Sequence, residues 1–455
     1  MPGSFWIETL GCPKNQVDSD KLAGSMLRDG YVEASGADSA DVVVVNTCAF
    51  IEPARAESIE TILTLAETRR DGARLVVTGC LAARAGAELA EALPEVDLVV
   101  DVGVPVEVAL APSSAGNVRW LPRRREIVPA LDLLELPRRR GAAPWAYVKV
   151  AEGCDRKCGF CAIPSFRGPQ RSRPLAAILA EVAELAASGV REIVLVAQDL
   201  ASFGRDRSDG PRRVEAGVQA PAIIELVAAV SAVVERVRLL YLYPSSLTDG
   251  LVEAIVATGV PYFDLSLQHV SAPLVRRMRR FGTAEKFLDR IAMIREAAPE
   301  AVLRSSFILG YPGETEEDHD ELLAFLDRAE LDWAGFFTFS NEDGTYAAGL
   351  DRQVREPLAL ERLRECAELQ DAITAKRRSA LVGTTGTVLV DSVGRGRTHR
   401  EAPEIDGVVR LPADLAVGEF VEVEFAAAEG PDLVGVPLAS TGAVGGVRRR
   451  VEGIL

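Results

Sequence analysis

The sequence predicts an α/β multidomain protein: a doubly wound parallel sheet, then a partial (β/α)6 barrel, then a small all-β barrel. Three observations carry this. Over the first 110 residues β-branched runs alternate with amphipathic helical stretches, the alternation resumes near 145 for six strand–helix units, and from about 384 the helical pattern stops. Parallel strands covered by helices on both faces read as continuous apolar runs, whereas short strands between glycines close into small barrels. A chain of 455 residues is too long for one core. The expected segments are 3–112 for the first sheet, 113–143 for a linker, 144–373 for the barrel and 376–445 for the terminal β-barrel.

In chain order, "FWIETLGC", "DVVVVNTC", "RLVVTGC" and "DLVVDVG" are the strands of the first sheet, separated by helices in "SDKLAGSMLRDG", "ARAESIETILTLAETRR" and "AGAELAEALPE". The segment 113–143 carries three prolines and two Arg triplets and reads as an extended linker, its arginines forming a solvated face. The barrel strands are "AYVKVAEG", "EIVLVAQD", "VRLLYLYP", "YFDLSLQH", "VLRSSFILGYPG" and "WAGFFTFS". Right-handed crossovers curl such units so that all strands end on one face, where active sites form. The charged loop "ASFGRDRSDGPRRVEAGVQA" follows the second strand on that face and is a candidate lid or substrate contact. "GTVLVDSV", "DGVVRLP", "EFVEVEFAAA" and "DLVGVPLA" are the terminal barrel's strands.

The bulk composition narrows the function. Hydrophobic residues make up 48%, ample for packed cores, and seven cysteines are too few and odd in number for a disulfide framework. No signal peptide or long apolar span is evident, so the cytoplasm is the expected compartment and no membrane partner is expected. There, grouped cysteines read as metal sites or catalysis. The net charge of −16 argues against a protein that binds nucleic acid by bulk electrostatics and fits a basic partner better.

Two cysteine groups stand out. Cys154, Cys158 and Cys161, in "GCDRKCGFC", follow the first barrel strand directly. A structural zinc would use a fourth local ligand, and His269, His319 and His399 are all distant in sequence. Three thiolates on a four-iron cluster leave one iron open to a small molecule, and a zinc site completed from afar is the alternative. Cys12, Cys48 and Cys80 each end a strand of the first sheet. Parallel strands place such ends along one edge, where open α/β folds bind ligands, so the three thiols are expected to converge on a second cluster. Three buried structural cysteines are the alternative, as for Cys366 on its helix.

The C-x3-C-x2-C spacing on the first loop of a six-unit half-barrel resembles the radical S-adenosylmethionine enzymes. An amino-terminal three-cysteine domain and a terminal β-barrel of the TRAM type extend the resemblance, over nearly the whole chain, to the methylthiotransferases. The resemblance implies two 4Fe–4S clusters and S-adenosylmethionine as cofactors, with an electron donor and a sulfur donor as partners. It implies that the open iron at Cys154, Cys158 and Cys161 chelates S-adenosylmethionine, whose reductive cleavage yields a hydrogen-abstracting radical. The second cluster would hold the sulfur to be inserted. Phe160 occupies the usual aromatic slot before the last cysteine. Gln198, Gln268, Arg304 and Gly310 fall where cofactor contacts are expected, and Gly313 with Gly310 would let backbone approach the adenine, unless "GYPGE" is only a turn. Arg167, Arg171 and Arg173 are placed to pair with a cofactor or substrate carboxylate, or else to lead into the next helix. The run 276–280, "RRMRR", is expected to face solvent.

Within that family "LGCPKNQVDSD", "NTCAFI", "LVAQDL", "YLYPSSLTD", "SLQHVS" and "FILGYPGETEEDHDELL" resemble the branch that modifies an aspartate of protein twelve of the small ribosomal subunit. The branch acting on adenosine of transfer RNA shows Gln-Met-Asn where this chain has Pro13, Lys14 and Asn15. Relatives carry proline where Ser266 stands here. Charge agrees with a protein substrate. Residues 1–112 hold eight basic and eighteen acidic groups, and residues 384–455 seven and eleven, so both flanking domains repel phosphates. A basic ribosomal protein is therefore the expected partner and transfer RNA is not.

Overall fold

The computed structural model describes residues 3–102, 104, 106, 120–122, 133–207 and 222–438. Two units result, Met1–Thr374 and Ala375–Leu455. Most of the predicted linker and residues 208–220 of the candidate lid lie outside the described residues.

The first unit opens with a six-stranded sheet of β1 (Ser4–Thr9), β2 (Val32–Glu33), β3 (Val42–Thr47), β4 (Arg74–Gly79), β5 (Leu98–Val100) and β6 (Trp120–Leu121). Its order is β2-β1-β3-β4-β5-β6 and every pairing is parallel. Val43 and Val45 pack on one face with Ile62 and Leu81, and Val42 and Val44 on the other with Leu22 and Met26. That two-sided burial is why the strands read as unbroken valine runs. Strand β6 lies within the expected linker and adds an edge strand there.

The helix expected from Ser19 begins earlier, spanning Pro13–Arg28 with Cys12 as N-cap and proline in the first turn. Proline suits that position because its missing N–H has no helical partner to lose. The stretch Lys14–Asp18 carries no helical signal because it is largely polar, yet Lys14, Asn15, Asp18, Ser19, Asp20 and Lys21 are all buried. The linker arginines are not a solvated face at Arg138. Its guanidinium is 10% exposed and pairs with Asp20 at 2.7 Å and Glu181 at 3.4 Å.

The half-barrel consists of β7 (Trp145–Lys149), β10 (Glu192–Val196), β11 (Arg236–Leu239), β12 (Tyr262–Gln268), β13 (Val302–Leu309) and β14 (Trp333–Thr338), all parallel. Two three-stranded halves, β11-β10-β7 and β12-β13-β14, meet through a single bridge between Leu242 and Leu265. One core runs through both halves, including Val148, Leu195, Leu239, Leu265, Leu303 and Phe307. Cys366 is fully buried in it, as a packing residue. A short antiparallel pair, β8 (Ala151–Glu152) with β9 (Arg171–Ser172), brackets the Cys154–Cys161 loop.

The second unit contains a closed five-stranded barrel, β15-β16-β17-β19-β18, spanning Thr385–Ser392, Arg395–Arg397, Val409–Arg410, Asp432–Pro437 and Phe420–Glu429 in that spatial order. Val388, Val409, Val423, Phe425 and Leu433 fill it.

Candidate metal centre

Cys12, Cys48 and Cys80 follow β1, β3 and β4, which are adjacent in the sheet. The three thiols therefore occupy one stretch of its carboxyl edge, close enough to act on one another electrostatically. Two glycines make the turns. Gly11 and Gly79 both have φ +94°, and a Cβ on Gly11 would stand 2.8 Å from the Cys48 sulfur. Asn15 stitches the loops together, its amide donating to Leu10 O at 2.9 Å and Thr47 O at 3.0 Å.

Burial pushes the Cys48 thiol up to about 11, and the neighbouring thiols of Cys80 and Cys12 add to this. Burial raises Cys80 as well, against the pull of Arg167. For Cys12 burial is outweighed by Lys14, by the Asn15 N–H at the head of the helix and by Arg167, so its thiol falls below the ordinary range. In the barrel trio burial lifts Cys154 to about 11 and Cys161 to about 12. Metal binding at such protonated thiols releases protons.

The second trio lies at the barrel mouth. Its loop is pinned by Gly159, whose N–H donates to Met278 O at 2.8 Å and whose carbonyl accepts from Ala347 N at 2.8 Å. Arg280 donates to the Cys158 sulfur at 3.1 Å. It is 6% exposed, so this last residue of "RRMRR" does not face solvent. Arg280 and Arg156 lie over the Tyr243 ring at 4.1 and 4.0 Å from its centroid, and Arg156 also reaches Ser246 at 2.7 Å. This sandwich places two cations beside the trio.

Between the trios runs a buried ionic network. Arg167 donates to Asp18 at 2.9 Å, Glu152 at 3.2 Å, Asn15 at 2.9 Å and the Cys80 sulfur at 3.1 Å. Lys149 pairs with the same Asp18 and with Glu152 at 2.7 Å. Burial would raise Glu152, but Arg167 and Lys149 hold it far below the carboxylate range. Arg167 is thus committed to protein partners and unavailable to a substrate carboxylate. Arg173 is likewise buried, against Glu181 at 2.7 Å and Lys149 O at 3.0 Å. Arg171 is exposed on β9.

The expected cofactor contacts divide into two kinds. Phe160 packs beside Leu274, Met278 and Tyr311 at the mouth. The Gln198 amide donates to Glu152 at 3.0 Å, leaving its buried Oε1 without a partner. Gln268 has φ +72° at a register shift in β12 near Ser266. Left-handed backbone outside glycine costs about 1–3 kcal/mol and gathers at functional sites. Arg304 pairs with Asp264 at 3.0 Å. Gly310, by contrast, has an evident packing reason: a Cβ there would stand 2.5 Å from the Ala359 Cβ. A Cβ on Gly313 would meet Arg277 Nε at 2.9 Å. Sequence reasoning missed Lys14, Tyr241, Tyr243 and Arg280. Tyr241, at φ +64°, lies under Lys14 Nζ at 3.4 Å from the ring centroid, and its position just past the end of β11 was the available signal.

All seven cysteines are free thiols, and among the described residues no three ligating side chains stand as close as a single metal ion requires. The thiolates of an iron–sulfur cluster bind separate irons and need not share one centre. The donor sets, soft, grouped in threes and flanked by Arg167, Lys14, Arg156 and Arg280, suit anionic clusters.

Comparison with known proteins agrees. Residues 4–101 match the family described as uncharacterized protein family UPF0004, 148–326 the radical SAM superfamily and 382–438 the TRAM domain. The ribosomal protein uS12 methylthiotransferase RimO of Salinispora tropica is 42% identical, over 97% of this chain and 96% of its own. Those of Moorella thermoacetica and Geobacter sulfurreducens are 42% and 39% identical, covering 92% and 94% of this chain and 95% and 97% of theirs. This chain belongs to the uS12 methylthiotransferase family. Among solved structures, the radical S-adenosylmethionine methyltransferase TsrM of Kitasatospora setae aligns with a TM-score of 0.52 over 74% of this chain and 73% of its own, at 14% identity, a likeness of fold alone. Cys12, Cys48 and Cys80 fall within the first of the matched segments and Cys154, Cys158 and Cys161 within the second.

The turn that presents Cys80 is a sensitive point in this member of the family. A Cβ on Gly79 would stand 2.4 Å from Asn46 Oδ1 and 2.5 Å from the Thr47 backbone. Gly79→Ala is expected to displace Cys80 at a strain cost of about 1–3 kcal/mol. Iron content after reconstitution should fall at the amino-terminal site and persist at the barrel site. Full retention at both would show that the turn tolerates the methyl group.

Proposed function

We propose that this chain transfers a methylthio group to the β-carbon of an aspartate of ribosomal protein uS12. The observation that carries the reading is the pairing of two three-cysteine sites in one unit, joined through Arg167. A barrel trio alone would explain a radical enzyme of any outcome and leave Cys12, Cys48 and Cys80 without a use.

In this reading Cys154, Cys158 and Cys161 hold one 4Fe–4S cluster, and Cys12, Cys48 and Cys80 hold the other. When bound, the clusters and S-adenosylmethionine supply a reducing electron, a hydrogen-abstracting radical and the methylated sulfur. The protein supplies ligation, orientation and exclusion of water. Gln198 Oε1 is a buried acceptor awaiting a donor such as the cofactor's amino group or ribose hydroxyls. Gln268, held in a left-handed conformation at the end of β12, and Arg304, beside Asp264, would hold the cofactor from the opposite half of the barrel. Phe160 gives the cluster loop its apolar anchor, and the backbone at Gly310 would border the adenine. Half-buried Tyr241 and buried Tyr243, past the end of β11, help to keep water from the space between the trios.

An external electron donor and a sulfur donor complete the cycle, and the cytoplasm, where ribosomal proteins are assembled, is the compartment. No described helix is long and apolar enough to cross a membrane. The test is anaerobic turnover of the reconstituted chain with reductant, sulfide and S-adenosylmethionine, offered uS12 and transfer RNA in parallel, with products read by mass spectrometry. A methylthio gain on an aspartate of uS12 alone is expected. A gain on RNA alone would overturn the substrate while keeping the chemistry.

A further inference from the structure

Arg167 ends the short helix Ile163–Arg167, which begins two residues after Cys161. The segment that carries a ligand of the barrel site therefore also carries a guanidinium to the other site, where Nη2 donates to the Cys80 sulfur at 3.1 Å. The helix Cys80–Ala92 packs directly against this short helix. Arg167 is 3% exposed and fixed on both sides of its fork. Nη1 binds Asp18 and Glu152, and Nη2 binds Asn15 Oδ1 as well as the sulfur.

The charge count of this buried group is informative. Two cations, Arg167 and Lys149, meet two carboxylates, Asp18 and Glu152. The network is neutral without Cys80, so the N–H directed at sulfur is not needed to balance it. Hydrogen bonds to ligating sulfurs are among the features that set the potential of an iron–sulfur group, and partners just outside the ligands fix ligand orientation. Both effects meet at this nitrogen.

We propose that Arg167 is a positioning residue that couples the two cysteine sites: carried by the barrel's cysteine loop, it orients Cys80 and raises the reduction potential of the group bound at Cys12, Cys48 and Cys80. This rests on reading those three cysteines as one cluster site. The bond stabilises negative charge on sulfur, so it favours the reduced form of whatever the thiolates bind. It also means that a shift of the barrel loop is felt at Cys80 through this side chain as well as through the packing of the two helices.

The test is redox titration, followed by electron paramagnetic resonance, of the full-length chain reconstituted with iron and sulfide. Arg167→Gln and Arg167→Lys are compared with the parent, each also in a Cys154→Ala/Cys158→Ala/Cys161→Ala background so that the amino-terminal signal is read alone. A midpoint potential more negative in Arg167→Gln, with Arg167→Lys between it and the parent, is expected. Loss of amino-terminal iron alone in either variant also supports the proposal. An unchanged potential at full iron content overturns it. So does loss of iron from both sites together with unfolding, which makes Arg167 a residue of the fold only. If the parent background binds no cluster at Cys12, Cys48 and Cys80, the cluster reading itself has failed, a result distinct from an unshifted potential.

Discussion

Replacing Cys12, Cys48 and Cys80 together with alanine is expected to abolish methylthio transfer to uS12 while reductive cleavage of S-adenosylmethionine continues. The two trios stand on different sheets, one at the edge of the six-stranded sheet and one on the loop after β7. The barrel trio has its own supports in Gly159, Arg280 and Arg156, none of which touches the other trio. Deoxyadenosine formation should therefore stay within about twofold of the parent, because the groups that act in cleavage are unchanged. Cys158→Ala should instead remove both activities, since on the proposed reading it takes a ligand from the site where the cofactor is cleaved. Both products are read from one anaerobic reaction by mass spectrometry. Methylthio product persisting in the triple variant would remove the amino-terminal site from the chemistry. Loss of deoxyadenosine in a folded triple variant would make the two sites one catalytic unit.

The strands and the cysteines were legible in the sequence for a common physical reason. Strands such as β3, β4 and β10 are buried on two faces, which demands apolar runs, and Cys48 and Cys80 follow two of these runs directly. What joins the amino-terminal domain to the barrel was not legible. Lys14, Asn15, Asp18 and Asp20 are a helix buried through charge and amide contacts, so they lack the apolar periodicity that marks helices. Arg138, Arg167 and Arg280 looked like surface or substrate-facing arginines because acceptors such as Asp20, Asp18 and the Cys158 sulfur lie far away in sequence. A second link of this kind is Glu342, 2% exposed, which receives Arg55 and Arg84 from the two helices that follow Cys48 and begin at Cys80. Even Gly310 shows the limit: the sequence offered cofactor approach or a turn, and the fold adds close packing on Ala359.

Glu192→Gln is expected to lower the stability of the barrel strongly. Glu192 and Arg238 form a pair at 2.8 Å on β10 and β11 with both side chains wholly buried, and Arg238 also lies over the Tyr262 ring at 4.5 Å. Breaking a buried pair by taking the charge from one partner costs about 3–5 kcal/mol. The urea midpoint for loss of barrel structure should fall accordingly. Glu285→Gln, which breaks an exposed pair with Arg328, should leave the midpoint where it is. Glu192→Leu/Arg238→Met should recover most of the loss, because a buried pair is often replaceable by apolar groups of similar volume. If the double variant is no better than the single one, the pair acts through geometry that apolar side chains cannot reproduce. The consequence would reach the site, since β10 lies between β11 and β7, the strand that leads to Cys154, and any loosening there displaces the loop on which the barrel chemistry depends.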